Sequence, residues 1–326
     1  VGLFMLIALP ANLKFLWAPV LDRYALPLFD RRRGWLFVVQ AVLAIGLMAM
    51  GLTNPKSTGA MAALALLVAF IAATQNILVD AYRAETLAPD ELGRGTSAYV
   101  AGFRIGMIIS GGLALMLSDH LPWSWVYGLM ALLMLSSCLI TAAVPPCIHD
   151  RRPSSLRDAV VLPLREFFSR RNAWLTLLFL MTYKFGDGVV LALVNPFLKQ
   201  VGYSGTEIGM TQQVLGIGAT IVGAVLGGTT LDRIGLRRAL LIFGLAQALA
   251  NVGYVYLALT DKSLPVLVVA TLIDSLCTGV ATAAFVACIT ALCAKRFAAT
   301  QYALFTAATS LLAHSLGAGS GWVVSH

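Results

Sequence analysis

Ionisable side chains stand inside otherwise apolar stretches at Arg104, Lys184, Asp187 and Asp274. Such groups are costly to hold in hydrocarbon, so in a membrane chain they are read first as functional. A guanidinium at Arg104 has the planar fork that grips a carboxylate through two bonds, or it clamps a carboxylate on a neighbouring helix. Lys184 and Asp187 are three residues apart, share a helix face and can pair. Asp274 stands alone in an apolar run, where a carboxyl group without a partner needs a task. Asp80 lies near the end of its stretch beside Arg83, a position for a gate or a loop anchor. Lys14 is placed to extend its ammonium to the interface. Of the histidines, His314 alone falls within an apolar stretch, and neither a His-Glu-x-x-His run nor a Cys/His cluster occurs, so no metal site and no cofactor are expected. The five cysteines read as small packing residues.

The elements that must position these groups follow from composition. Of 326 residues 59% are hydrophobic and 12% charged, with mean hydropathy +0.84. A soluble domain carries about a quarter charged residues, so the chain is read as an all-α membrane protein. Its continuous apolar runs do not alternate as barrel strands do. Ten spans are expected: 1–20, 35–52, 60–82, 96–118, 125–144, 172–195, 206–230, 239–258, 265–292 and 301–324. The loops on one side hold 17 Lys/Arg and those on the other side three. That bias assigns the first set to the cytoplasm and accounts for the net charge of +8 without nucleic acid.

The triplet Leu21-Asp22-Arg23 returns 210 residues later as Leu231-Asp232-Arg233, each time between two apolar spans. A repeated basic inter-span loop implies two related halves. The longest and most charged connection, 145–171, separates five spans from five and contains an amphipathic piece, Leu156–Phe168, suited to the membrane surface. Aligning the triplets gives six-plus-six helices with the first and last missing. The division is therefore an N-terminal bundle (1–144), a cytoplasmic linker (145–171) and a C-terminal bundle (172–326). Two parallel helical bundles with ten of twelve helices present describe the major facilitator fold. Gly102-x-x-x-Gly106 and Gly223-x-x-x-Gly227 fit small-residue helix contacts.

The residues around these loops resemble the anhydromuropeptide permeases (AmpG type) of that superfamily. The resemblance is carried by Phe15-Leu-Trp17-Ala-Pro19-Val-Leu-Asp22-Arg23-Tyr with Arg31-Arg-Arg-Gly-Trp35. Ala73-Thr-Gln75-Asn76-Ile-Leu-Val-Asp80-Ala-Tyr-Arg83 and Gly102-Phe-Arg104-Ile-Gly106 add to it. In the second half, Tyr183-Lys184-Phe-Gly-Asp187, Leu215-Gly-Ile-Gly-Ala-Thr-Ile-Val-Gly-Ala and Thr282-Ala-Ala-Phe-Val-Ala are also similar to that family. The chain departs from it at Asn76, where the family usually has Asp, and at Ala313, where an arginine is common.

The resemblance implies a monomeric importer of N-acetylglucosaminyl-anhydromuramyl peptides in the inner membrane of a Gram-negative bacterium, driven by the proton gradient. Such a conjugate offers carboxylates to Arg104 and Lys184, and hydroxyls to Gln75, Asn76, Gln212 and Gln213. Tyr183, like Trp17 and Tyr99, offers a ring to stack on a sugar. Asp187 and Asp274 are the candidates for proton coupling, since burial raises a carboxyl pKa and a cation lowers it. Asp22, Arg23, Asp80, Asp232 and Arg233 are expected to gate, pairing with an adjacent helix end in one access state and releasing it in the other. Arg31–Arg33 are expected to set topology and touch anionic lipid.

Other classes fit less well. No phosphate-binding Gly-x-x-x-x-Gly-Lys loop exists for an ATP-driven pump. A membrane-embedded transferase would cluster acids at one membrane edge, whereas Asp80, Asp187 and Asp274 are dispersed. Within transport, an importer of siderophores or other anionic conjugates is the rival.

Overall fold

The computed structural model describes residues 7, 9–54, 56–147, 153–260 and 262–310. Among them the regular structure is helical. Eight helices are long and apolar enough to cross a membrane: α3 (Arg31–Leu52), α4 (Thr58–Thr86), α5 (Leu92–Ser118), α6 (Trp123–Ala143), the pair α8 and α9 (Ala173–Gln200), α10 (Gly205–Ile234), α11 (Leu236–Leu259) and α12 (Leu264–Leu292). The shortest has 21 residues, and at 1.5 Å per residue covers about 30 Å of hydrocarbon.

The two outermost expected spans differ. The first is broken into α1 (Leu9–Leu13), a 3₁₀ turn (Lys14–Leu16) and α2 (Ala18–Arg23). Pro19 suits the restart, because proline lacks an N–H and is accommodated best in a first helical turn. The last span is helical over 298–310 (α13), and the rest of it, with Ala313 and His314, lies outside the described residues.

Short polar signals set the remaining ends. Asp30 accepts from Arg33 N at the start of α3. Ser204 and Glu207 form a reciprocal capping box at the start of α10. Gly235, at φ +80°, turns the chain from α10 into α11. The linker helix α7 spans Leu156–Phe168, capped by Ser155, with bounds matching the amphipathic piece legible in the sequence. α5 and α10 each widen into a π-helical stretch, Ile108–Leu113 and Gly209–Leu215. Such bulges in α-helices often mark functional positions.

The helices gather into two compact units that are discontinuous in sequence. One comprises Val1–Thr86, Met107–Ala173 and Cys293–Ala307; the other comprises Leu87–Gly106, Trp174–Leu292 and Ala308–His326. In the first, α3 packs along α4 and α6 through Leu36, Val39, Leu43, Ile77, Leu78 and Val126, all buried. In the second, α10 lies against α12 at backbone distance. A Cβ on Gly223 would strike the Leu276 carbonyl, and one on Gly279 would strike that of Thr220. The small-residue contact expected at Gly223 and Gly227 is therefore present. Among the described residues the one expected at Gly102 and Gly106 is not, because none of them lies within 4 Å of a Cβ built at either.

Overpacking of this kind costs about 1–3 kcal/mol. Gly223→Leu should lower the thermal unfolding midpoint in detergent, whereas Gly102→Leu should leave it unchanged. Differential scanning fluorimetry of the two variants checks the contrast.

Candidate functional site

The break between α8 (Ala173–Tyr183) and α9 (Phe185–Gln200) falls on Lys184. Its ammonium donates to Asp187 Oδ2 at 2.5 Å, so the pair expected from their spacing is formed. The pair sits on a cavity of about 200 Å³ lined also by Tyr183, Gly244, Gln247 and Asn251. Two acceptors of residues that line it, Gln247 Oε1 and Asn251 Oδ1, are buried with no hydrogen-bond partner among the described residues, a condition that costs roughly 1–3 kcal/mol each. Tyr183 is half-buried on this cavity. Its ring stacks on Phe285 at 5.3 Å, and its hydroxyl donates to Leu240 O at 3.1 Å.

Asp274 is not alone, contrary to the sequence reading. Gln247 Nε2 donates to its Oδ1 at 3.1 Å and Tyr254 OH to its Oδ2 at 3.4 Å. Gln212, on the π-helical stretch of α10, donates in turn to Tyr254 OH and Thr271 Oγ1. Gln247 thus lines the Asp187 cavity and also holds Asp274 through its amide nitrogen. No cue in the residues pointed to partners for Asp274, because Gln247 and Tyr254 look like isolated polar residues in another apolar run.

The two Leu-Asp-Arg carboxylates do the same job in their respective units. Asp22 is fully buried and accepts from Ala299 N, Thr300 N and Thr300 Oγ1 at 3.3, 2.8 and 2.6 Å. It therefore sits on the orphan amides at the start of α13, where the helix dipole favours negative charge. Asp232 accepts from Gly93 N and Arg94 N at 2.8 and 3.2 Å, at the start of α5. The approach depends on glycine on both sides, since a Cβ at Gly93 or Gly228 would collide with the other's carbonyl.

The arginines around Asp22 depart from expectation. Arg23 lies over the Tyr24 ring, and Asp22 takes a cation partner from α3. The partner is Arg32, whose Nη2 donates to Asp22 Oδ1 at 2.5 Å and also to Glu85. Arg31 bridges Asp22 O and Glu85 Oε1 at 2.6 and 3.1 Å. Arg31 and Arg32 are buried, so they do not touch lipid headgroups as expected for the cluster. Two guanidiniums taken from water need a shared anion, and Glu85 supplies it. The sequence reading passed over Glu85 as one more loop charge.

Asp80 accepts from Arg83 Nη2 at 3.1 Å, and Arg83 also donates to Tyr302 OH at 2.6 Å. Lys14 turns inward, 3.7 Å from Asp80, and does not extend to the interface. Of the other candidates, Arg104 is half-buried on α5, Gln75 half-buried and Asn76 exposed on α4, Gln213 exposed on α10, and Arg233 exposed at the end of α10. Trp17 packs at 4.6 Å on Phe70 and donates to Thr74. Among the described residues no group of three or more His, Cys, Asp or Glu could hold a metal.

Residues 1–318 match the family model of the Major Facilitator Superfamily. Two solved structures share the fold at 14% identity. A bacterial homologue of the iron transporter ferroportin, in an outward-facing state, gives a TM-score of 0.71 over 100% of this chain and 83% of that one. The proton:xylose symporter XylE bound to 6-bromo-6-deoxy-D-glucose gives 0.64 over 99% and 79%. The family match and the eight helices long and apolar enough to cross a membrane mark a multi-pass membrane transporter, not an enzyme. Over 328 residues the chain is 44% identical to the anhydromuropeptide permease of Escherichia coli (strain K12), covering 99% of this chain and 67% of that protein. The chain belongs to the major facilitator superfamily and, within it, to the AmpG-type permeases.

Asp22→Asn keeps the shape but removes the charge that Arg32 and the α13 amides share, and breaking a buried pair costs about 3–5 kcal/mol. Cys293 reports the loss. It is buried, and burial, reinforced by the Asp80 and Asp22 carboxylates, pushes its thiol well above the usual range. The expected outcome is a lower unfolding midpoint and alkylation of Cys293 by iodoacetamide at neutral pH roughly tenfold faster than in the unaltered protein. Peptide mapping by mass spectrometry measures the rate, and an unchanged rate would refute the clamp.

Proposed function

We propose that the chain imports N-acetylglucosaminyl-anhydromuramyl peptides across a bacterial inner membrane by alternating access, driven by the proton gradient, with the linker 145–171 in the cytoplasm between two bundles, 1–144 and 172–326. The observation that carries the substrate is the 44% identity to an anhydromuropeptide permease along 99% of the chain. Arg104 and Lys184 are the cations offered to the substrate's carboxylates, with Gln75, Asn76, Gln212 and Gln213 offered to its hydroxyls.

For coupling, Asp187 and Asp274 are the proton-carrying groups, and Gln247 is the residue that lets one sense the other. A substrate carboxylate that recruits Lys184 withdraws the cation from Asp187, which favours proton uptake there. The carboxylate caps at Asp22 and Asp232 are proposed to hold in one access state and release in the other. Release would expose amides that the Asp22 cap now satisfies, which makes the two states distinct wells instead of a continuum.

Uptake of labelled N-acetylglucosaminyl-anhydromuramic acid into proteoliposomes, with and without an inward proton gradient, tests the reading. Gradient-driven accumulation is expected, falling roughly tenfold or more in Asp187→Asn and in Arg104→Ala. Uptake indifferent to the gradient would remove the proton role and keep the substrate. Absence of uptake by folded protein would remove the substrate.

Gln247→Leu preserves bulk while deleting the amide between Asp187 and Asp274. We expect it to retain substrate-for-substrate exchange but lose gradient-driven accumulation, a split read in the same vesicles by preloading them with unlabelled substrate.

A further inference from the structure

The linker helix α7 carries two apolar stripes. One, Ala159, Pro163 and Phe167, is buried, and the Phe167 ring meets Phe305 edge-on at 4.9 Å. The other, Leu156, Val160, Leu164 and Phe168, repeats every fourth residue and is exposed at 43, 47, 39 and 42%. Arg157, Arg165 and Arg171 are exposed beside it. An apolar stripe edged by guanidiniums is the pattern of a helix lying in the headgroup region of an anionic bilayer. The chain itself holds α7 there. Residues 169–172 alone separate Phe168 from the membrane-spanning α8, and at about 3.3–3.6 Å per extended residue they keep the end of α7 within roughly 15 Å of the bilayer face.

The buried side of α7 leads to the Asp22 cap. Gln301 is almost wholly buried and donates to Pro163 O at 3.1 Å and to Glu166 Oε2 at 2.6 Å. Its Oε1 accepts from Ala294 N at 2.7 Å. The residue before it, Thr300, gives both its amide and its hydroxyl to Asp22. One side chain thus ties the linker helix to the turn that presents the start of α13.

We propose that the exposed stripe of α7 is a binding surface for anionic phospholipid, and that lipid seated there steadies the Asp22 cap through Gln301. Lipid composition then sets how readily the cap opens. The partner is the negatively charged face of the bilayer, chosen by the arginines at the stripe and by the short tether to α8.

Two readouts test this without measuring transport. Single cysteines at Val160→Cys and Asp158→Cys, roughly 160° apart around the helix, are labelled with bimane and reconstituted with spin-labelled phosphatidylglycerol. Quenching at position 160 and little at 158 is expected, and weaker quenching at 160 in Arg157→Gln/Arg165→Gln. Equal quenching at both positions, none at 160, or crosslinking of 160 to a second copy would overturn the surface. In the second readout, Cys293 alkylation of the unaltered protein is compared in vesicles of phosphatidylethanolamine alone and with about one-third phosphatidylglycerol. A rate several-fold lower with the anionic lipid is expected. An equal rate would overturn the coupling, even if the helix binds lipid.

Discussion

A carboxylate with no access to water governs one end of this molecule. Asp22 has zero relative exposure, and a charge in that condition survives only if its surroundings answer it completely. Four donors do so directly: two amides and a hydroxyl from the start of α13, and Arg32. The burial of Arg32 then requires Glu85, Glu85 draws in Arg31, and Arg31 closes the circuit on the Asp22 carbonyl. Each group is tolerable because the others are in place. Removing any one leaves an uncompensated charge in the interior.

The second Leu-Asp-Arg triplet performs the same capping with less. Asp232 has two amides and the distant, largely exposed Arg94, 3.5 Å away. Exposed pairs contribute about 0–1 kcal/mol, so this cap draws mainly on its helix terminus. Repeated sequence has therefore produced repeated geometry with unequal strength. An opening motion would meet most of its resistance at Asp22, next to the segment that Gln301 fastens to the linker helix.

Much of this was visible in the residues. Hydrophobic run length marked the spans, the amphipathic period delimited Leu156–Phe168, and three-residue spacing paired Lys184 with Asp187. What could not be read was any feature whose partner is far along the chain. Asp274 looked solitary because Gln247 and Tyr254 lie 27 and 20 residues away. Arg31 and Arg32 looked like lipid-facing charges because Glu85 lies more than 50 residues on. Gly102 and Gly106 matched a packing motif that says nothing about whether a neighbour arrives. Local physics announces elements, while the assignment of buried charge is settled by assembly.

The exchange of short segments between the two compact units also bears on how the protein is made. The ribosome releases Asp22, Arg31, Arg32 and Glu85 early, yet the amides and hydroxyl that complete their circuit belong to residues 299 and 300. Those four charges can answer one another early, but the donor shell of Asp22 stays incomplete until the last described helix is delivered. Gly93 and Arg94 likewise wait for Asp232. The two caps therefore close in sequence, the Asp232 cap first and the Asp22 cap later. A polypeptide stalled before residue 299 would display that unfinished cluster to the proteases that clear failed membrane proteins.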